Sequence, residues 1–276
     1  MLLMKETRPK QPELEPLDVY LFDCTGMVVI RNVFPESMIE KARSAINKEF
    51  PQKKPWKFSV LGLGEIFWDI MTNRRLLATV EQLCGDQFRL DHAFAVSSDE
   101  NMKNLHGGPA SSFGSCFTRI DNSIYVGQLS VGIPLAPQSP KTGGMCYIPG
   151  SHRSLDHRAG KEVRWELFKG DIEHEGIIVP SYNPGDLVIF SESLVHGDVG
   201  WKPTDYSRLI VYYKFCPGFM TWRDPREQEQ YRHLARNDLE RRLMEPPWSG
   251  KYSENYSNLN HAMDHTNTRR EKTIGS

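Results

Sequence analysis

Hydrophobic positions near the start of the chain recur at helical spacing, and further along they shorten into strand-like runs. Gly26–Arg31 is a brief apolar run that reads as a strand, and Pro35 after it signals a helix start. Met38, Ala42, Ala45 and Ile46, closing near Glu49, mark an amphipathic helix with Lys41, Arg43 and Lys48 on its wet side. A second helix is predicted from Glu65 to Cys84, with Ile66, Ile70, Leu77 and Val80 as its buried stripe and Gly85 as a left-handed stop.

From Phe88 onward the period changes. Short runs of β-forming residues separated by turn signals fall at Phe88–Val96, Ile124–Leu135, Gly143–Ile148, Gly176–Val179, Asp186–Phe190 and Arg208–Phe215. Within Ile124–Leu135, Ile124, Val126, Gln128 and Ser130 alternate with Tyr125, Leu129 and Val131, as on a two-faced strand. Closely spaced strands without helices between them argue for a sandwich or barrel over a parallel sheet. A third helix is predicted from Arg226 to Met244, and the Asn-, His- and Ser-rich residues beyond it read as a tail or lid. The expectation is one α+β domain over 1–276: a flexible lead-in at 1–17, a helical part at 18–87, a β core at 88–223, and a helix with tail at 224–276.

Composition narrows the function more than the fold. The chain has 276 residues, 39% of them hydrophobic and 25% charged, which suits a globular core. Thirty-four basic against 35 acidic side chains leave a formal charge of −1, so nothing electrostatic favours nucleic acid or a membrane surface. The longest apolar runs are far too short to span a bilayer. Cys24, Cys84, Cys116, Cys146 and Cys216 are scattered and odd in number, which reads as reduced thiols and a cytoplasmic protein without a secretory leader.

The chemistry-bearing residues are few. His106-Gly107-Gly108 lies in a turn-rich stretch, so its backbone is expected to be loop-like. Pro184-Gly185-Asp186 opens the run Leu187–Phe190, which places His196 at a strand end. Arg208 begins an apolar strand, a costly position for a cation unless something pairs with it. Imidazoles suit divalent iron, although a histidine taken alone is more often structural.

Taken together, His106-Gly107-Gly108, Pro184-Gly185-Asp186, His196 and Arg208 resemble the iron- and 2-oxoglutarate-dependent oxygenases, in particular the phytanoyl-CoA dioxygenase-like branch. Gly143-Gly144 and Pro149-Gly150-Ser151-His152 resemble the same family, with His152 structural. The resemblance implies a double-stranded β-helix (a jelly-roll or cupin-like core) with flanking helices. It also implies iron(II) on His106 and His196, 2-oxoglutarate on Arg208, and dioxygen as cosubstrate; Gln128, among apolar residues on a predicted inner face, reads either as a further hydrogen bond to the cosubstrate or as a satisfied core amide.

Members of this family that hydroxylate carry a carboxylate two residues after the first histidine, where this chain has Gly108. In the superfamily such a glycine marks halogenases, whose open position on iron takes chloride. The favoured expectation is therefore chlorination of an unactivated C–H bond in a small molecule, free rather than carrier-bound. Thr118, Arg119 and Tyr125 are candidates for the substrate pocket. One alternative is a hydroxylase whose third ligand is Asp121 or Asp198, and another is a non-catalytic binder. Lys103, Lys214 and Arg223 are cations that a bound anion would meet, with exposure the simpler reading, and His92 beside Asp91 is a distant metal candidate.

Overall fold

The computed structural model describes residues 14–50, 56–98, 100–101, 103–108, 116–120, 123–154, 175–202 and 205–248. The first half runs α1 (Pro16–Thr25), β1 (Met27–Ile30), α2 (Glu36–Glu49), β2 (Trp56–Ser59), α3 (Glu65–Met71) and α4 (Arg74–Cys84). The strands β3 (Phe88–Ser98), β4 (Lys103–His106), β5 (Phe117–Ile120), β6 (Ser123–Val126), β7 (Leu129–Pro134) and β8 (Gly143–Tyr147) follow. After them come β9 (Leu187–Ser191), β10 (His196–Trp201), β11 (Arg208–Pro217), α5 (Pro225–Glu229) and α6 (Asp238–Leu243).

Six strands in the order β1-β9-β7-β11-β3-β2 make one antiparallel sheet, and β4-β10-β8 make a smaller one. This is a jelly-roll core with flanking helices. β1, read from the sequence as the strand Gly26–Arg31, closes one edge against β9, and β2, which lies in the stretch expected to be helical, closes the other against β3. The expected lead-in ends earlier than residue 17, because α1 starts at Pro16, whose fixed φ suits a first helical turn.

Side-chain parity sorts the core into two parts. On β11, Leu209, Val211, Tyr213 and Phe215 join the cluster under the helices, while Ile210 and Tyr212 join a second cluster with Phe94, Met145, Tyr182, Val188, Phe190 and Leu194. The same period of two places Arg208 and Lys214 with Ile210 and Tyr212. Both cations are thereby drawn inside, and both are buried.

Three expected elements are interrupted, each by local chemistry. The Glu65–Cys84 helix splits because the Asn73 side chain accepts from the N–H groups of Arg75 and Leu76 and starts α4 afresh. The Arg226–Met244 helix splits because Asp224 caps α5 and Asn237 caps α6, leaving a 3₁₀ turn at Arg232–Leu234 between them. The Ile124–Leu135 strand breaks at Gly127–Gln128, where Gly127 N–H turns to the Cys116 carbonyl. That break shifts the phase by one residue. Ile124, Val126, Leu129 and Val131 all reach the helix-side core, and Ser130 turns to the inner face. Gly176–Val179 contributes a single bridge, from Ile178 to Tyr147.

Candidate active site

His106 and His196 face each other directly across the β4–β10 ladder, with ring centroids 4.3 Å apart. His106 is therefore not in a loop; it ends a strand, and pairing with β10 aims its ring at His196. Gly107 makes the approach possible, since a Cβ there would stand 2.2 Å from the Leu194 carbonyl oxygen and 3.2 Å from His196 Nδ1.

Hydrogen bonds set the tautomers. His196 Nδ1 donates to the Leu194 carbonyl at 2.7 Å, which leaves Nε2 as the lone-pair nitrogen. His106 Nδ1 faces the Asn104 side-chain oxygen at 3.2 Å, with the same consequence. Burial, and then the neighbouring His196, push the His106 imidazole down to about 3, although the residue as a whole is exposed. Burial also lowers His196. Two neutral imidazoles with inward lone pairs suit a divalent metal.

A carboxylate stands beside them that no sequence motif had marked. Glu192 Oε1 lies 3.8 Å from His196 Nε2 and bonds Ser130 Oγ and Lys214 Nζ. Burial would raise this carboxyl, but Lys214, His196 and the hydroxyl of Ser130 hold it well below the usual range. Its other oxygen, Oε2, accepts no hydrogen bond from the described residues. The signal was present in the sequence as an acid flanked by serines, four residues before His196, between two apolar runs. Lys214, which the sequence favoured as exposed, is buried with its ammonium among the rings of Phe94, Phe190 and Tyr212.

Gly108 is buried at φ +96°, and among the described residues a Cβ there would meet only Val195 Cγ2, at 3.5 Å. Asp198 is engaged elsewhere: it accepts from Arg208 Nη1 at 2.8 Å, Ser98 Oγ at 3.2 Å and Gly200 N–H at 2.9 Å. Asp121 lies outside the described residues.

Arg208 opens β11, buried as expected and paired with Asp198. Burial would lower it, but a hydrogen bond with the Tyr182 hydroxyl and the Asp198 carboxylate hold it charged. Its Nε is buried with no hydrogen-bond partner among the described residues, so the guanidinium keeps one donor for an incoming carboxylate. Gly144 gives it room, since a Cβ there would sit 3.1 Å from Arg208 Nε.

Gln128 is buried, but its amide turns to Asp91 at 3.5 Å. Thr118 and Tyr125 are paired opposite one another, exposed, on the β5–β6 hairpin, and Arg119 lies on the same strand as Thr118. The hairpin packs through Phe117 on Phe22 and His152. His152 is buried, with Nε2 on the Asp23 carbonyl at 3.1 Å, a structural position. His92 gives its Nδ1 to Asp91 at 2.6 Å and stacks on Phe94.

The model of a protein family described as phytanoyl-CoA dioxygenase (PhyH) matches residues 22–197, a span that includes both histidines and ends before Arg208. The ectoine dioxygenase of Sphingopyxis alaskensis is 24% identical over 209 residues, covering 65% of this chain and 68% of that one. The crystal structure of HygX from Streptomyces hygroscopicus with nickel and 2-oxoglutarate bound is 24% identical, with a TM-score of 0.68 over 76% of this chain and 90% of that one. That protein has also been crystallised with hygromycin B. EctD from S. alaskensis, with 2-oxoglutarate and 5-hydroxyectoine, is 16% identical with a TM-score of 0.57, over 74% of this chain and 77% of that one. At these identities the structural likenesses establish the jelly-roll fold.

Proposed function

The chain belongs to the phytanoyl-CoA dioxygenase family, and from that premise we propose that it is an iron(II)- and 2-oxoglutarate-dependent oxygenase acting on a free small molecule. The observation that carries this reading is the in-register pair His106 and His196, each with Nε2 as its lone-pair nitrogen. These two residues would hold the metal, and Arg208, with its unpaired Nε–H, would hold the distal carboxylate of 2-oxoglutarate. When bound, iron with 2-oxoglutarate and dioxygen supplies the power to oxidise an unactivated C–H bond. Phe190, 4.6 Å from His196, and Tyr212 behind it keep water from the inner side of the site.

The third position decides the outcome. Gly108 offers no ligand atom, but Glu192 stands 3.8 Å from His196 Nε2 with an oxygen to spare. We therefore favour Glu192 as the third ligand, and hydroxylation as the reaction. Chlorination is the competing reading, carried by the space at Gly108, and it requires chloride where Glu192 would bind.

Anaerobic titration with iron(II) and 2-oxoglutarate, with and without chloride, separates the two. Oxygen transfer predicts an absorption band unchanged by chloride, and a Glu192→Gln variant whose affinity for iron(II) falls about tenfold or more. A chloride-dependent band, or full affinity in Glu192→Gln, would favour chlorination. Alanine at His106 or His196 is expected to remove metal binding in both readings. If either variant keeps it, the oxygenase reading fails.

A further inference from the structure

A cavity of about 280 Å³ opens between β2, β3 and the segment that leads into α5. Lys57, His92, Phe94, Arg223 and Glu227 line it. Its charge is lopsided. Lys57 Nζ lies 3.9 Å from the centre of the Phe94 ring and makes no ion pair among the described residues. Partial burial, then the charges of Lys214 and Arg223, lower its pKa against the opposing pull of Glu192. Glu227 is the acid on the wall, and it stands at a loose 3.9 Å from Arg223 Nη1, with both side chains exposed.

The wall is built rather than incidental. Asp91 is almost fully buried, and its carboxylate accepts from Thr221 Oγ1 at 3.0 Å, Trp222 N–H at 2.8 Å and Arg223 N–H at 3.3 Å. The same carboxylate holds His92 Nδ1 at 2.6 Å. One buried acid thus fixes both the backbone that carries Arg223 and the ring of His92, whose Nε2 is left as an acceptor. Phe94 joins the cavity to the histidine pair: Lys57 covers its ring from one position and Lys214 lies 5.9 Å from its centre, reaching on to Glu192. Lys57 also contributes to the lowering of His106.

We propose that this cavity is the substrate site, and that it takes a small molecule bearing a phosphate- or carboxylate-type anionic group, gripped by Lys57 and Arg223. A hydroxyl of the same molecule would donate to His92 Nε2. That the anion is a substrate rests on the oxygenase reading above, whereas anion binding at the cavity does not.

Calorimetric titration of inorganic phosphate, at ionic strength held constant with sodium chloride, tests this in protein preloaded with nickel(II) and 2-oxoglutarate. Wild-type protein is expected to bind phosphate, and Lys57→Met and Arg223→Met are each expected to weaken it about tenfold. Both variants should keep wild-type affinity for nickel(II) and 2-oxoglutarate, and Lys48→Met, exposed on α2, should change nothing. The proposal is overturned if wild-type protein ignores phosphate, or if the two variants bind it normally. Loss of 2-oxoglutarate binding in the variants also overturns it, because the cavity would then hold the cosubstrate. A wild-type protein that binds phosphate but neither nickel(II) nor 2-oxoglutarate refutes the oxygenase reading and leaves the anion site standing.

Discussion

Gly107 and Gly108 are adjacent, both have positive φ, and the structure assigns them different costs. A methyl group on Gly107, at φ +87°, would meet the Leu194 carbonyl at 2.2 Å and the Glu192 carbonyl at 3.1 Å. Both are backbone atoms, so relief requires β4 or the Glu192–Leu194 turn to move by about 1 Å. Among the described residues, a methyl on Gly108, at φ +96°, would make only an ordinary contact with Val195. A side chain in left-handed backbone costs about 1–2 kcal/mol, and overpacking adds about 1–3 kcal/mol. Gly108→Ala should therefore lose about 1–2 kcal/mol, and Gly107→Ala about 2–5 kcal/mol. In a chain of this size that corresponds to a fall in Tm on the order of 2–8 °C against 4–20 °C. The Leu194 carbonyl that Gly107→Ala displaces is also the acceptor for His196 Nδ1. Nickel(II) affinity should consequently drop in Gly107→Ala far more than in Gly108→Ala. Thermal melts with and without nickel(II) measure both effects. Equal losses in the two variants, or unchanged metal affinity in Gly107→Ala, would refute the claim that this close approach positions the histidine pair.

Two further perturbations test the buried charges. Arg208→Met leaves Asp198 buried without its cation and should cost about 3–5 kcal/mol in denaturant unfolding. Adding Asp198→Asn should recover a large part of that loss, and no recovery would mean that the pair does not hold the fold in the way described. His152 has its pKa lowered to about 4 by burial and then by Arg153, against an ordinary 6.5. Because the folded value lies below the unfolded one, its contribution is complete above pH 6.5 and is lost as pH falls toward 4. The full loss amounts to about 3 kcal/mol, and unfolding of wild type against His152→Gln across this window should show a shallower decline in the variant. Parallel declines would rule out His152 as the source.

Much of the fold was legible along the chain because its signals are local. The period of two in Arg208–Phe215 fixes that Arg208 and Lys214 share a face, although only the fold shows that this face is the inner one and that Lys214 is buried rather than exposed. The apolar stripe of α2 and the strand beginning at Leu187 emerged close to where the pattern set them. The interruptions did not, because a cap such as Asn73 competes with helix continuation by a margin that a hydrophobic period cannot register. Nor did β2, and although Gly26–Arg31 read as a strand, the place of β1 in the large sheet did not show, because it depends on partners more than a hundred residues away, and that of β2 on partners about forty away.

The site divides along the same line. His106, His196 and Arg208 were singled out through their resemblance to a family motif, and the absence of an acid at Gly108 was plain beside it. Residue order carried an acid four residues before His196 but could not show that it reaches the histidine pair. Glu192 reaches the Nε2 of His196 through a turn, and Ser130 and Lys214 from β7 and β11 hold it there. Nor could it show that Asp198 is committed to Arg208, or that Asp91 fastens His92 and Arg223 to one cavity wall. Sequence by itself determined the donor types and the faces of the strands, since both follow from covalent identity and a two-residue repeat. Tertiary structure alone decided which charges neutralise one another and which remain open to a ligand. That balance rests on distances of a few ångströms between segments that meet only when the two sheets close.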